Sequence, residues 1–532
     1  MIRTKCTLMI LLALFYCILG IVQPSALLAQ EVKGDTNPRG TLRVVDLSDV
    51  SGSAMSNYAE GLVMLDKDNN FVPCLAEDWK WIDERTIEFR LRRGVFFQNG
   101  EPFNAEAVKI NWEAYDSLKT PKFSGFTSIA DGTVFAILND YTVRFTFPEP
   151  DGLALVRLKD FSQFAPAFFK GHKFGERSWG YLSEAGPWGT GPFQLVEGSV
   201  SGKPSDHIVL EAYEGYWDKR FPKVKTVIFD NTLINNNEEA VRLCREKEAA
   251  VDIVSFIRPL DTLKIAESPF AKVVKSRDFT QTHSAINQRK PNSKWRDIRL
   301  RKALNYALNR EELLQYGAKG NAYNLGGHIP PGARGHNPNL TLYTYDTTKA
   351  KSLLAEAGFP NGFEMTLITP EAQKLEAQVM KRMYERIGLK VNLEVFPWPV
   401  WLLKVWIPPG KRAEEQEWDV SVCYNNDWQG HSAVSHLVYP LIDVSGIRWI
   451  EYDPVYEKMW KDMAQTVDEK AQDEKMRQME QYIYERAYMV FIYSPLNLYA
   501  VNKEVNFVPQ KCGALRLKET SVTDNHWSVR SN

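Results

Sequence analysis

Cysteine is scarce in this chain, and the motifs in which cysteine does chemistry are missing. The 532 residues include six cysteines and no CxxC pair, which argues against a zinc knuckle or a redox motif. Two of the six, Cys6 and Cys17, lie in an N-terminal apolar segment. The remaining four are widely separated, which leaves buried free thiols and a single disulfide as open alternatives. They are Cys74, Cys244, Cys423 and Cys512.

Excess charge and catalytic motifs are missing as well. The formal net charge is -1 and no strongly basic run occurs, so the chain has no electrostatic field that would attract nucleic acid. It contains no GxSxG motif, no P-loop, no HExxH motif and no locally supported order of serine, histidine and aspartate. We therefore expect a binding protein rather than an enzyme, with no cofactor and no metal centre.

The first 29 residues have the pattern of a secretory signal peptide. Arg3 and Lys5 precede an apolar run from Leu8 to Val22, and Ala29 lies at a plausible cleavage point. An uncleaved anchor helix and lipidation at Cys17 are the alternatives. No later segment is long and apolar enough to cross a bilayer. We expect export to the periplasm or to the exterior of the cell envelope.

The secondary-structure signals are clearest between Asp78 and Tyr115. Residues Thr86 to Leu91 alternate between apolar and polar, as a half-buried strand does, and Trp79 to Ile82 supply a partner strand across a polar turn. Asn104 is positioned to cap the helix that follows. The pattern predicts a small β-meander that leads into a helix.

The same stretch, DWKWIDERTIEFRLRRGVFFQNGEPFNAEAVKINWEAY, resembles the signature of the family 5 extracellular solute-binding proteins, the peptide and nickel receptors of ABC importers. Four later stretches agree in type and order, and together the five cover nearly the whole chain after Glu31. They are GTGPFQLVEG (Gly189 to Gly198), DIRLRKALNYALNREEL (Asp297 to Leu313), AKSLLAEAGFPNGF (Ala350 to Phe363) and YDPVYEKM (Tyr452 to Met459).

The resemblance implies an α/β fold of the two-lobed periplasmic-binding-protein type, cluster C, with an extra small α+β domain on the first lobe. A length of 532 residues is consistent with more than one domain. The expected division is as follows: 1–29 signal peptide; 30–77 first part of lobe I; 78–187 small extra domain; 188–283 second part of lobe I; 284–494 lobe II; 495–532 the C-terminal return to lobe I.

A polar turn follows the predicted strand from Trp418 to Tyr424, and polar groups at the end of an α/β strand often contact ligands. Peptide receptors of the family place an acid near this position for the α-amine of the peptide, which implies this role for Asp427. The alternative is that Asp427 caps its own loop. The neighbouring candidates for ligand contact are Tyr424, Asn425, Asn426 and Trp428.

Further ligand-binding candidates are aromatic or ionisable. Trp398, Trp401 and Trp449 have rings that could stack on a solute, and core packing is the alternative for each. Arg448 could pair with a ligand carboxylate, and a surface salt bridge is its alternative. His283 lies at the predicted crossing between the lobes, where a hydrogen-bonded structural histidine is the alternative reading.

The expected function is that of an extracytoplasmic receptor of an ABC importer, which binds a peptide-like solute between two lobes and delivers it to the membrane permease. The same fold binding a nickel chelate, an oligosaccharide, an opine or another small solute is the alternative, as is a receptor that only signals to a membrane sensor. The expected partners are the small solute and the ABC permease subunits, and the chain is expected to be a monomer.

Overall fold

The structure is a computed structural model that describes residues 37–47, 50–117, 129–171, 185–199, 205–405, 415–425, 427, 430–438 and 449–530. The expected signal peptide therefore lies outside the described residues. No helix in these ranges is long and apolar enough to span a membrane.

Twenty-one strands are described, and they are numbered in chain order. They are β1 (Thr41–Val45), β2 (Val63–Leu65), β3 (Phe71–Pro73), β4 (Ala76–Asp83), β5 (Thr86–Leu91), β6 (Val134–Asn139), β7 (Thr142–Thr146), β8 (Phe193–Glu197), β9 (His207–Ala212), β10 (Thr226–Asp230), β11 (Ile253–Val254), β12 (Ala271–Ser276), β13 (Gln281–Ile286), β14 (Ala322–Tyr323), β15 (Glu364–Pro370), β16 (Lys390–Phe396), β17 (Val420–Asn425), β18 (Met489–Pro495), β19 (Asn497–Asn502), β20 (Val505–Asn506) and β21 (Ser521–Val522).

The α-helices are numbered in the same way. They are α1 (Val50–Tyr58), α2 (Ala105–Asp116), α3 (Ala154–Lys159), α4 (Phe168–Gly171), α5 (Asn237–Cys244), α6 (Asp261–Ala266), α7 (Ile298–Tyr306), α8 (Arg310–Glu312), α9 (Thr347–Glu356), α10 (Lys374–Arg386), α11 (Trp398–Val405), α12 (Pro454–Ala464) and α13 (Glu469–Glu485). Two π-helical turns, Leu313–Gly317 and Ala433–Leu437, follow α8 and β17.

Two mixed sheets form the centres of the two lobes, and the two-lobed α/β fold expected from the sequence is confirmed. The sheet of the first lobe has the strand order β12-β19-β11-β1-β10-β9-β8, and that of the second lobe has the order β14-β18-β13-β17-β15-β16. Each sheet has its own apolar core. In the first, Val44 and Phe229 are fully buried, and in the second, Leu367 and Val422 are fully buried.

The small extra domain contains an antiparallel sheet in the order β4-β5-β7-β6, against which α2 packs. The predicted alternation in β5 is confirmed, since Ile87, Phe89 and Leu91 are buried on one face. Asn104 caps α2 as expected, and its side chain accepts a hydrogen bond from the backbone N–H of Ala107 at 3.0 Å.

A turn interrupts the helical region that follows Asp297. The stretch from Asp297 to Leu313 forms two helices instead of one, because α7 ends at Tyr306 and Asn309 starts α8 by accepting a hydrogen bond from the N–H of Glu312. The break turns Arg310 into the core, where its guanidinium donates to the carbonyl oxygens of Phe491 and Tyr343. A buried cation is tolerated there because backbone carbonyls surround it.

The chain passes twice between the lobes. The first crossing joins β12 to β13 through residues 277–280, and the second joins β18 to β19 through Leu496. β13 belongs wholly to the second sheet from Gln281 onward, whereas the sequence-based division was placed after residue 283. Asp278 links the crossings: its carboxylate accepts hydrogen bonds from the Thr280 hydroxyl at 2.7 Å and from the side-chain amide of Asn497.

Candidate functional site

The carboxyl ends of strands from both sheets meet between the lobes. β15 runs parallel to β16 and β17, and all three run toward the edge from which β18 crosses to the first lobe. In the first sheet, β1 runs parallel to β10 and β11, and their carboxyl ends point back toward the second lobe. Ligands of open α/β sheets bind at such edges. The space between these two edges is therefore the candidate solute site.

Asp427 lies two residues beyond the end of β17 and is only 2% exposed. Its carboxylate accepts hydrogen bonds from the backbone N–H of His431 at 2.8 Å and from the Ser435 hydroxyl at 2.6 Å. Burial raises its pKa to about 6, and these hydrogen bonds offset part of that increase. Asp427 thus organises the turn before the π-helix Ala433–Leu437, which is the capping role considered as its alternative.

Asp427 also lies where the two lobes touch. The side-chain amide of Asn69, in the turn between β2 and β3, donates to the backbone oxygen of Asp427 at 2.8 Å. The ammonium of Lys159, at the end of α3, also lowers the pKa of the Asp427 carboxyl, by less than the two hydrogen bonds do. A carboxylate placed between two lobes and shielded from water is suited to hold an ammonium group of a solute.

Two of the candidate aromatic residues form a platform at the same edge. Trp398 begins α11, two residues after β16, and is 41% exposed. Its ring stacks on Trp401 with centroids 5.0 Å apart and lies 5.5 Å from the ring of Tyr424. Trp401 is fully buried and is fixed by a hydrogen bond from its indole N–H to the Ser421 hydroxyl. Only Trp398 of the two tryptophans has a surface on which a solute can stack.

The remaining candidates are placed differently. Asn425 ends β17, and its side-chain nitrogen is buried without a hydrogen-bond partner in the part of the chain that the structure describes. Trp449 is fully buried and packs edge-on against Trp418, so its ring has no surface for a solute. Asn426, Trp428 and Arg448 lie outside the described residues.

His283 belongs to a cluster of three buried histidines. Its ring meets that of His328 edge to face with centroids 5.2 Å apart, and His328 meets His436 at 5.9 Å. His328 donates its Nε2 proton to the backbone oxygen of His436 at 2.9 Å. Burial lowers the pKa of all three rings, that of His328 to about 4, so they are neutral near pH 7.

In the described ranges, neither the three histidines nor the acidic side chains form a metal centre. No group of three or more histidine, cysteine, aspartate or glutamate side chains there is arranged to hold a metal ion. Cys74, Cys244, Cys423 and Cys512 are all buried free thiols. The alternative of one disulfide is therefore not realised in this structure.

Two further residues of this region, His328 and Asn69, are not marked as functional by the sequence. His328 lies in a loop 45 residues after His283, and nothing in its local sequence marks it as a neighbour. Asn69 has a weak signal, since it adopts a φ of +72°, a left-handed conformation that asparagine tolerates, within a polar turn. Its partner Asp427 is 358 residues away, a separation that no local pattern bridges.

Known proteins resemble this chain in sequence over about two thirds of its length. The model of the bacterial extracellular solute-binding proteins, family 5 Middle, matches residues 70–439. The glutathione-binding protein GsiB of Salmonella choleraesuis (strain SC-B67) is 29% identical over 371 residues, which are 66% of this chain and 67% of that protein. The dipeptide-binding protein of Escherichia coli (strain K12) is 25% identical over 378 residues, 65% of this chain and 66% of the relative.

Solved structures show the same fold. NikA from Brucella suis in complex with Fe(III)-EDTA superposes with a TM-score of 0.75 and 18% identity, covering 91% of this chain and 100% of that chain. The relatives are named as binding proteins, which agrees with the expectation that this chain is not an enzyme.

Proposed function

Because this chain belongs to the bacterial extracellular solute-binding proteins of family 5, we propose that it is the receptor of an ABC importer for a peptide-like solute. Binding takes place between the two lobes, and the membrane permease receives the solute from the closed receptor. Export to the periplasm or the cell-envelope exterior and a monomeric state are parts of the same proposal. So are the segment boundaries expected from the sequence, with the change from first to second lobe placed before Gln281.

The position of Asp427 is the observation that carries the peptide assignment. It is a buried carboxylate at the carboxyl end of a central strand, and it lies against Asn69 of the other lobe. A free peptide always has an α-ammonium group, and a desolvated carboxylate is a strong partner for one. The names of two relatives, a glutathione-binding and a dipeptide-binding protein, point to solutes of this class.

Closure of the lobes provides the mechanism. A solute that contacts both carboxyl-end edges interacts with both lobes only when they are together, so it stabilises the closed form. The two crossings, residues 277–280 and Leu496, are the segments about which such a movement turns.

A different small solute is the second candidate, and the exposed face of Trp398 favours it. This ring is backed by Trp401, so it is a rigid surface for a planar or sugar-like group. A nickel chelate, an oligosaccharide or an opine belongs to this candidate. A receptor that signals to a membrane sensor without transport uses the same site.

A thermal-shift screen of the chain from Gln30 onward, refolded from denaturant to remove carried-over ligand, tests the proposal. Di- to pentapeptides, N-acetylated forms of any hits, nickel chelates and oligosaccharides are the probes. A solute at a hundredfold excess over its Kd stabilises by about 2.7 kcal/mol, which raises the midpoint visibly. We expect free peptides to raise it and their N-acetylated forms to have no effect.

Two matched variants locate the ammonium site. Asp427→Asn should weaken peptide binding about tenfold to a hundredfold, because it removes a charge-assisted hydrogen bond. Asp346→Asn makes the same change at an exposed cap of α9 and should bind as the wild type does. If a chelate or sugar shifts the midpoint and no peptide does, the peptide assignment is wrong, and Trp398→Ala becomes the variant to test.

A further inference from the structure

Helix α3 has both of its faces buried, and the two faces belong to different cores. Ala154 and Leu158 pack in the core of the small extra domain. Leu153, which precedes the helix, and Val156 pack instead among second-lobe residues such as Met463, and they are 0% and 1% exposed. The helix therefore joins the small domain to the second lobe, although the chain connects it only to the first.

The backbone just before α3 contacts the second lobe directly. The N–H of Gly152 donates to the carbonyl oxygen of Ala464 at 2.8 Å, and the side-chain amide of Gln472 donates to the Gly152 oxygen at 3.1 Å. A Cβ atom at position 152 would overlap the carbonyl oxygen of Thr466. Residue 152 must therefore be glycine for this contact to form.

Two further contacts also join residues near the small domain to the second lobe. Asn69 of the β2–β3 turn donates to the backbone oxygen of Asp427. Gly430, with a φ of +72°, lies against the side chain of Leu65, which a Cβ atom would overlap. Glycines thus occur on both sides of the interface, at Gly152 and at Gly430, where a side chain would overlap the facing residue.

We propose that α3 and Gly152 form a latch that holds the small domain against the second lobe when no solute is bound. The inference rests on the proposed function, because it concerns the closure by which a solute is held. A second lobe that swings open about the two crossings has to pull Leu153 and Val156 out of its core and break the hydrogen bonds of Gly152. Opening is therefore opposed by the protein itself, before any solute contributes.

The latch has a kinetic signature. In a receptor that is closed before binding, the solute has to wait for opening, but it finds its contacts already arranged. Weakening the latch should therefore raise the association rate and reduce the affinity. The affinity should fall about tenfold if the closed form drops from nearly all molecules to one molecule in ten. If α3 and Gly152 contributed only to stability, weakening them would not raise the association rate while lowering the affinity.

Small-angle X-ray scattering of the solute-free chain from Gln30 onward tests the latch without any ligand. We expect the wild type to scatter as the closed structure does and Gly152→Ala to have a larger radius of gyration. Gly94→Asn is the control, because a Cβ atom there meets nothing within 4 Å and asparagine tolerates the left-handed φ of +72° at this position. It should remain compact. Far-UV circular dichroism and one cooperative thermal transition confirm that each variant is folded.

If Gly152→Ala does not fold, a second variant tests the latch. Asn69→Gly keeps the left-handed backbone of this turn and removes only the amide that reaches Asp427, so it should also enlarge the radius of gyration. An open wild type without solute, or folded variants as compact as the wild type, would overturn the latch. Neither result bears on whether a peptide binds, which the thermal-shift screen decides separately.

Discussion

Replacing Asp278 by asparagine should stabilise the protein at pH 8, although it removes a buried carboxylate from the first crossing. Asp278 is fully buried, and its hydrogen bonds come from Thr280 and Asn497. Both partners can adapt to the substitution, because a hydroxyl can turn from donor to acceptor and an asparagine amide can flip. The asparagine side chain has almost the same shape, so the packing should be kept.

The magnitude follows from the proton that Asp278 holds. Burial raises its pKa from 3.8 to about 7, so the folded protein binds this proton more tightly than the unfolded chain does. The stabilisation is complete below pH 3.8 and is lost as the pH rises through 7. A shift of this size corresponds to about 4 kcal/mol, of which about 3 kcal/mol is lost between pH 5 and pH 8. Asparagine carries no charge at any pH and avoids this loss.

Urea unfolding of both proteins at pH 5, 6, 7 and 8 measures the effect as a difference in free energy of unfolding, in which the other titrating groups cancel. The difference should grow in favour of asparagine by about 3 kcal/mol across this range. Asp261→Asn is the matched control. Burial raises the pKa of Asp261, but hydrogen bonds from Arg258 and Asn237 outweigh it and leave the pKa below 3.8. That variant should be less stable by the same amount at every pH.

Two results would refute the reasoning about Asp278. One is a difference in unfolding free energy that does not change with pH, which would mean that the carboxyl has an ordinary pKa in the folded protein. The other is an asparagine variant that is less stable than the wild type at pH 8, which would mean that Thr280 and Asn497 hold the ionised form well enough to outweigh its burial.

Two further predictions concern the histidines. His526→Ala should cost about 1 to 3 kcal/mol of stability, measured by urea unfolding, because it removes the fully buried hydrogen bond of 2.9 Å between His526 Nε2 and the Asp252 carboxylate. A smaller cost would contradict this, and His207→Ala at an exposed site is the control. Burial lowers the pKa of His328 to about 4 and that of His431 to about 3. Each histidine should therefore reduce the free energy of unfolding by up to about 1.4 kcal/mol per pH unit as the pH falls below 6.5. His431→Gln should therefore lose less stability than the wild type between pH 6.5 and pH 4.5, and an equal loss would argue against this assignment.

The periodic parts of the fold could be predicted from the sequence because they depend on neighbouring residues. β5 and β7 alternate with period two, and α2 carries its cap, Asn104, at the position where the pattern places it. The break between α7 and α8 could not be predicted from the sequence because its cause is not local. The turn at Asn309 is favoured by Arg310, whose guanidinium finds its acceptors on β18, about 180 residues later.

The candidate site, too, could be predicted from the sequence only in part. The end of β17 was predicted because a buried strand followed by polar residues is visible in the sequence, and the position of Asp427 follows from it. Whether a tryptophan faces solute or core was not predictable, since Trp398 and Trp401 are three residues apart on one helix and differ from 41% to 0% in exposure. The two side chains differ in exposure because α11 places Trp398 at the carboxyl-end edge of the second sheet and Trp401 beneath it.

The position of Lys159 connects the latch to the solute site. Lys159 is the last residue of α3. Its ammonium forms an ion pair with Asp160, and its charge also acts on Asp427, the proposed ammonium partner. When α3 is docked, part of the negative charge of Asp427 is therefore already compensated by the protein. Under the two proposals, a solute ammonium at Asp427 competes with this cation, so the docked helix favours closure while it reduces what the solute gains there. The two proposals together make the affinity depend on the balance between the apolar contacts of Leu153 and Val156 and the charge at the end of the same helix.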